Sequence, residues 1–328
     1  MVTVGFRSAK PLTILYVDLP GHHSLPHMPA LKVAAGGHES ISVTDELAAT
    51  KVLETIPSLS AVVVNSANRT IFESARRLHP DAMTVLATEL PMKEYSEALS
   101  GEEDILLDHV ILNKPGSDWT VHEMRTTLQK RLRSDIFGLE KYLAPGTTIH
   151  KVTVVGSENR EIHNTTVMKF ALDHKIGQHL AKTIFGISEE LIMNAVYDAP
   201  VAGGKRSYDK SQRTNSVDLT PEEYATLSYG CDGRNFGISI SDPFGAMTRD
   251  KLTKYVKKIL MPRDSANLID NKIGGAGLGI FKILYGSHAL ICNVKPKVQT
   301  EFISLIDITD QVRDFSKMAR SIHYFEVM

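Results

Sequence analysis

Glu190 and Asn194 stand four residues apart in the stretch Ile187-Ser188-Glu189-Glu190-Leu191-Ile192-Met193-Asn194-Ala195-Val196. Its apolar residues recur at helical spacing, which predicts a helix with Ser188 as N-cap. Residues four apart share one helix face. An amide oxygen on that face is a hard donor of the kind Mg²⁺ takes. A carboxylate beside it can orient or deprotonate an attacking hydroxyl. Alone, the pair is what any amphipathic surface helix carries.

Two further segments give it a context. Gly274-Gly275-Ala276-Gly277-Leu278-Gly279 places four glycines in six residues, just before the apolar run Ile280-Phe281-Lys282-Ile283-Leu284-Tyr285. Glycine lets a backbone bend and approach an anion closely. A helix N-terminus then presents unpaired N–H groups and partial positive charge to a phosphate. The second segment, Ser241-Asp242-Pro243-Phe244-Gly245, follows the alternating run Phe236–Ile240. An Asp at a strand end can accept a hydrogen bond from the exocyclic amine of adenine and rejects the carbonyl of guanine. Gly245 is expected to leave room for a flat base. Without its neighbours, Asp242-Pro243 is a simple turn.

Taken in order, Glu190-x-x-x-Asn194, Asp242-Pro243-Phe244-Gly245 and Gly275-Ala276-Gly277-Leu278-Gly279 resemble the GHKL superfamily of ATP-binding domains. Histidine kinases, anti-sigma-factor serine kinases and gyrase belong to it. That family carries E-x-x-x-N, D-x-G-x-G and G-x-G-x-G in this order, and the resemblance runs from near Lys151 to Ile308. In the middle box, Pro243-Phe244 replace the first glycine and the last is missing. The resemblance implies ATP and Mg²⁺ as cofactors. Glu190 would be the general base and Asn194 the metal ligand. Asp242, Gly245, Gly275, Gly277, Leu278 and Gly279 would hold the nucleotide. Thr300 and Phe302 resemble the T-x-F strand that closes the same site in kinases. The basic segment with Arg249, Lys251, Lys254, Lys257, Lys258, Arg263 and Lys272 would be the lid.

The elements around these motifs fit such a domain. Tyr224–Tyr229 and Phe236–Ile240 flank Asp232-Gly233, a strong hairpin signal. Further alternating runs, His288–Val294 and Glu301–Ile308, are joined by a Lys-Pro-Lys turn. With a strand at Lys151–Val155 they predict a mixed sheet covered by helices on one face, a two-layer α/β sandwich of the GHKL ATPase type. Residues 202–216 read as a polar loop.

The N-terminal half has a different grammar. Leu12–Asp18, Ser60–Asn65, Thr84–Thr88 and His109–Pro115 are buried-strand patterns, with helix-like stretches such as Ile71–His79 between them. Strands alternating with helices predict a doubly wound parallel, flavodoxin-like sheet. Polar residues fall at the strand C-termini, where such sheets place their sites. Residues 10–117 resemble a response-regulator receiver: Asp18, Thr88 and Lys114-Pro115 match its pattern. Leu19 stands where a second acid belongs, and Asn65 stands where the phosphoacceptor Asp belongs. A carboxamide cannot form an acyl phosphate, so this half reads as a pseudoreceiver. The family would also make the Lys114–Pro115 bond cis.

Between the halves, Val121, Met124, Leu128, Leu132, Ile136 and Leu139 recur at spacings of three and four across Trp119–Leu143. That is one amphipathic helix. It would pack within the chain or against a second copy, giving a homodimer. It contains His122-Glu123-Met124-Arg125-Thr126-Thr127-Leu128, which matches five of seven positions of the histidine-kinase phosphoacceptor box H-E-L-R-T-P-L. A histidine-kinase hairpin needs two long helices, and Pro145-Gly146 leaves no room for the second. The segment serves better as the last receiver helix. A loop cluster of His22, His23 and His27 could hold a metal but lacks Cys or carboxylate support.

Of 328 residues, 37 are Lys or Arg and 38 are Asp or Glu, a net charge of −1. This gives no global electrostatic case for nucleic acid or an anionic membrane. Cys231 and Cys292 lack metal or disulfide spacing, and no apolar run reaches membrane-spanning length. These features predict a cytoplasmic protein of two domains: a receiver-like domain over 10–117 and an ATP-binding domain over 147–310. A linking helix over 118–146 joins them, and a tail over 311–328 follows. The combined expectation is a two-component-like signalling protein with protein partners. It would bind Mg-ATP and phosphorylate a partner Ser or Thr under pseudoreceiver control. The alternatives are a nucleotide-gated interaction switch without turnover and a true histidine kinase using His122.

Overall fold

The computed structural model describes residues 13–25, 39–99, 107–114, 116–205, 216–260, 276–309 and 319–327. They divide into two compact units, one of residues 13–89 with 96–133 and one of 90–95 with 134–327. Gly275, Pro115 with the bond before it, His27, Arg263 and Lys272 lie outside the described residues, as do most of the 202–216 loop and the start of the tail.

The first unit is an α/β layer structure. Its strands are β1 (Thr13–Val17), β2 (Glu39–Val43), β3 (Ala61–Val64), β4 (Met83–Thr88) and β5 (His109–Leu112). All pair in parallel in the order β2-β1-β3-β4-β5, the doubly wound order of flavodoxin-like sheets. Side chains alternate between faces along a strand. Ile14, Tyr16, Ala61, Val63, Met83, Val85 and Ile111 therefore form one buried face, covered by Met124 and Leu128. Leu15, Val17, Val62, Val64 and Leu86 are buried on the other. A parallel sheet covered on both faces explains the nearly continuous apolar runs. Helices α1 (Glu46–Thr55) and α2 (Arg69–Leu78) begin where Asp45 and Asn68 accept the backbone N–H groups of Ala48 and Ile71, capping otherwise unpaired donors. Helix α3 spans Met92–Leu99. Strand β2 has no counterpart in the sequence reading, because its edge sequence Glu-Ser-Ile-Ser-Val is half polar.

The expected helix over Trp119–Leu143 is shorter. Helix α4 is Asp118–Arg133. It stops where Ser134 adopts φ 52°, a left-handed conformation that breaks the helical ladder. Met124 and Leu128 bury into the core of their own unit. Ile136 and Leu139 belong to the second unit, where residues 139–142 form a single 3-10 turn. Residues 134–149, which follow α4, contain no α-helix, and Nε2 of His122 is sealed from solvent.

The second unit is built on a mixed sheet. Its strands are β6 (His150–Val154), β7 (Ala225–Cys231), β8 (Asn235–Asp242), β9 (Ala289–Lys295), β10 (Gln299–Asp307) and β11 (Ser321–Glu326). The order is β11-β9-β10-β8-β7-β6. Only the β11–β9 pair is parallel. The segment set apart as a tail thus supplies a strand, and the unit extends past residue 310. Helices α5 (Arg160–Asp173) and α6 (Gln178–Met193) pack together, and α6 also packs against a helix from Ala276 to Gly286. Phe236 of β8 meets the ring of Phe170 in α5, so Phe236, Ile238, Ile240 and Asp242 face the helices. The opposite face is covered too. A β-carbon on Gly237 would meet Leu139, and one on Gly230 would meet Leu143. The two-layer expectation gains a partial third layer from residues 134–149.

Candidate functional site

Helix α6 continues the apolar rhythm Ala181, Ile184, Ile187, Leu191 from an N-cap at Gly177. Ser188 is therefore inside the helix and not its cap. It is fully buried, and its hydroxyl donates to Oδ1 of Asn164 in α5 at 2.6 Å. The Asn164 amide in turn donates to Glu189, which also pairs with Arg160 at 3.0 Å. This buried polar clamp sets how α6 is rotated against α5. Sequence reasoning missed it, because Asn164 sits unremarked in the middle of α5. At Asn194 the helix loosens into a π turn, Asn194–Asp198, before α7 (Ala199–Ala202). Such turns re-aim side chains and cluster at functional sites.

Glu190 and Asn194 point the same way, as their spacing requires. Both meet the glycine box. A β-carbon on Gly279 would stand 2.7 Å from Oε2 of Glu190 and 3.4 Å from Oδ1 of Asn194. Gly277, Leu278 and Gly279 lie within α9 (Ala276–Gly286); helix α8 is Arg249–Leu260. Helix formation runs back through Ala276 because α9 packs against α6, and Gly279 allows the close approach. Oε1 of Glu190 receives the ammonium of Lys282, three residues past Gly279, at 2.5 Å. Among the described residues the Asn194 side-chain amide makes no hydrogen bond.

Asp242 ends β8 directly opposite Thr300 of β10. The two share the helix-facing side of the sheet, and both are buried. The carboxylate accepts the N–H of Phe244 at 3.0 Å. Burial pushes its pKa up to about 7, and that hydrogen bond only partly offsets the shift. The π turn that begins at Asn194 packs against β8, bringing both groups to one side of the sheet. Gly245 departs from expectation. It adopts φ 57°, and a β-carbon there would stand 2.2 Å from the carbonyl oxygen of Lys295. Its lack of a side chain admits the β9–β10 turn. Phe244 is likewise spent on packing, against Gly203.

Helix α9 is anchored at its far end. The buried Arg320 donates to the carbonyls of Leu284 and, at 2.7 Å, of Ser287. Its guanidinium lies over the ring of Tyr285. Burial lowers its pKa to about 10, still well above neutrality. A cation is favourable at a helix C-terminus. Arg249, the first residue of α8, lies over the Tyr324 ring in β11. Lys251 and Lys254 also belong to α8.

In the first unit, Asp18, Asn65 and Thr88 follow or end strands β1, β3 and β4 as expected, and Lys114 is exposed beyond β5. Asn65 is fully buried. Its Nδ2 donates to Oδ1 of Asp18 at 2.8 Å and to the carbonyls of Leu19 and His23. Its Oδ1 accepts the N–H of Leu19 at 2.7 Å. Asn113 donates to the carbonyls of His23 and Ser24. The two amides thus pin the loop that follows β1. The Thr88 carbonyl accepts the N–H of Asn113.

No protein-family model matches the chain, and no curated protein matches it. Among solved structures, it is similar to a chain in the crystal structure of the SiaB–SiaC complex from Pseudomonas aeruginosa. The identity is 17% and the TM-score 0.30, over 47% of this chain and 88% of that one. A likeness at that score carries no functional argument. Among the described residues, no helix is long and apolar enough to cross a membrane.

Proposed function

We propose that the second unit binds Mg-ATP as a GHKL-type domain and transfers phosphate to a hydroxyl on a protein partner, regulated by the receiver-like first unit. The observation that carries this reading is the meeting of Glu190, Asn194 and Gly279. Two oxygen-bearing side chains of one helix converge on Gly279, near the start of another, and a true helix N-terminus there would favour an anion. The residues fit the proposed ligands. Asn194 has a side-chain oxygen to offer Mg²⁺. Asp242 is a buried acceptor that adenine's amine would satisfy, and Thr300 stands beside it. Bound Mg-ATP would supply the phosphoryl group. The chain's own residues would position it, neutralise charge and take the hydroxyl proton at Glu190.

The first unit suits regulation without phosphoryl chemistry. Asn65 takes the phosphoacceptor's place and is committed to the loop after β1. A protein partner in signalling and a cytoplasmic setting belong to the same proposal.

Titration of the full chain with Mg-ATP is the test. The wild type should bind, and Asn194→Ala should lower Mg-ATP affinity at least tenfold. An unchanged affinity removes the metal-ligand role. A second reading, a nucleotide-gated switch without turnover, draws on the ion pair that neutralises Glu190. Tight binding with no phosphate on candidate partners and no free phosphate would favour it.

A further inference from the structure

Resting on that reading, we propose that Lys282 distinguishes ATP from ADP by exchanging Glu190 for the terminal phosphate. Lys282 and Gly279 lie three apart on α9 and so share the face turned to Glu190. One carboxylate oxygen of Glu190 lies against Gly279, and the other holds the Lys282 ammonium. The base is therefore neutralised in the ligand-free protein. The two partners differ in freedom. The Glu190 side chain is 16% exposed, whereas that of Lys282 is 62% exposed. The ammonium end of the pair is open to solvent, which can take up its charge, so the lysine can leave at little cost.

Gly279 lies less than one helical turn before Lys282, so a phosphate held beside it is within reach of a flexible four-carbon stem. A terminal γ-phosphate carries more negative charge than one carboxylate, so the ammonium should transfer to it. Glu190 then loses its counter-ion and becomes a better proton acceptor. With ADP the terminal group lies one phosphate further back, and the Glu190 pair persists. Lys282 is on this account a positioning residue that releases Glu190 only when a γ-phosphate is present. An ordinary ion pair between α6 and α9 would make no such distinction.

The test compares Mg-ATP and Mg-ADP binding by calorimetry in full-length wild type, Lys282→Gln, Lys282→Arg and Glu190→Gln, with thermal melts confirming folding. Lys282→Gln should lose about tenfold in ATP affinity while ADP affinity changes less than twofold. Lys282→Arg should keep most of the preference. Glu190→Gln should bind ATP more tightly, because the lysine no longer has a competing partner. Equal losses for both nucleotides, or none for either, in Lys282→Gln overturn the proposal. If the wild type binds neither nucleotide, the ATP reading fails and the proposal falls with it.

Discussion

Gly279 and Glu190 approach so closely that a single methyl group on the glycine would stand 2.7 Å from a carboxylate oxygen. The neighbour is the end of a flexible side chain, so it can move without unfolding the helix pair. Alanine also raises helix propensity by about 1 kcal/mol over glycine. Gly279→Ala should therefore leave the melting temperature unchanged or slightly higher. It should weaken Mg-ATP binding about tenfold by displacing Glu190 and crowding Asn194. Melting and nucleotide titration on the same sample check both parts.

Asp242 should make the protein sensitive to pH near neutrality. Its native pKa is about 7 against an ordinary 3.8. Between these values the folded state holds a proton that the unfolded state has lost. Its contribution to stability is then complete below about pH 4 and is lost as pH rises through 7. The ionised carboxylate is the stronger acceptor for adenine's amine, so nucleotide affinity should move the opposite way and strengthen from pH 6 to pH 8. Asp242→Asn should flatten the stability difference in urea melts and weaken adenine-nucleotide binding at pH 8.

Asn65→Asp should not restore a working receiver. The substitution removes the amide that donates to Asp18 and to the carbonyls of Leu19 and His23. It also sets two carboxylates side by side in a buried place. A cost of about 2–4 kcal/mol follows from the lost bonds and the unpaired charge. The cost should be larger at pH 8 than at pH 5, where one carboxyl can hold a proton. Chemical denaturation at the two pH values measures it.

Arg320→Ala should loosen α9 from its C-terminal end. The carbonyls of Leu284 and Ser287 lose a buried donor, at about 1–3 kcal/mol. Arg320→Lys should recover only part, since one ammonium cannot both span two carbonyls and stack on Tyr285. Thermal melts rank the three proteins, and ATP affinity should fall in the same order because α9 carries Gly279 and Lys282.

Much of the secondary structure was legible locally. The strands β1, β3, β4 and β5 are short apolar runs, and the β7–β8 hairpin is announced by Asp232-Gly233. Strand β2 was not, since an edge strand needs only one buried face and Ile41 and Val43 are its only apolar residues. Strand β11 lies in a segment that reads as a tail, because nothing in Ser-Ile-His-Tyr-Phe-Glu says that the edge of β9 is open to pair with it. The break at Ser134 was equally hidden, because the apolar spacing continues through Ile136 and Leu139 into a different unit.

For the site, the sequence by itself determined that Glu190 and Asn194 share a face, since helical periodicity is a property of a few adjacent residues. It also determined that Asn65 cannot serve as a phosphoacceptor, since that is a matter of chemical identity. Only the tertiary structure decided that Gly279 and Lys282 meet Glu190, that Ser188 bonds Asn164 instead of capping a helix, and that Gly245 admits the β9–β10 turn. Those are contacts between segments tens of residues apart. They depend on how one helix is rotated against the next, and the packing of the whole unit sets that rotation.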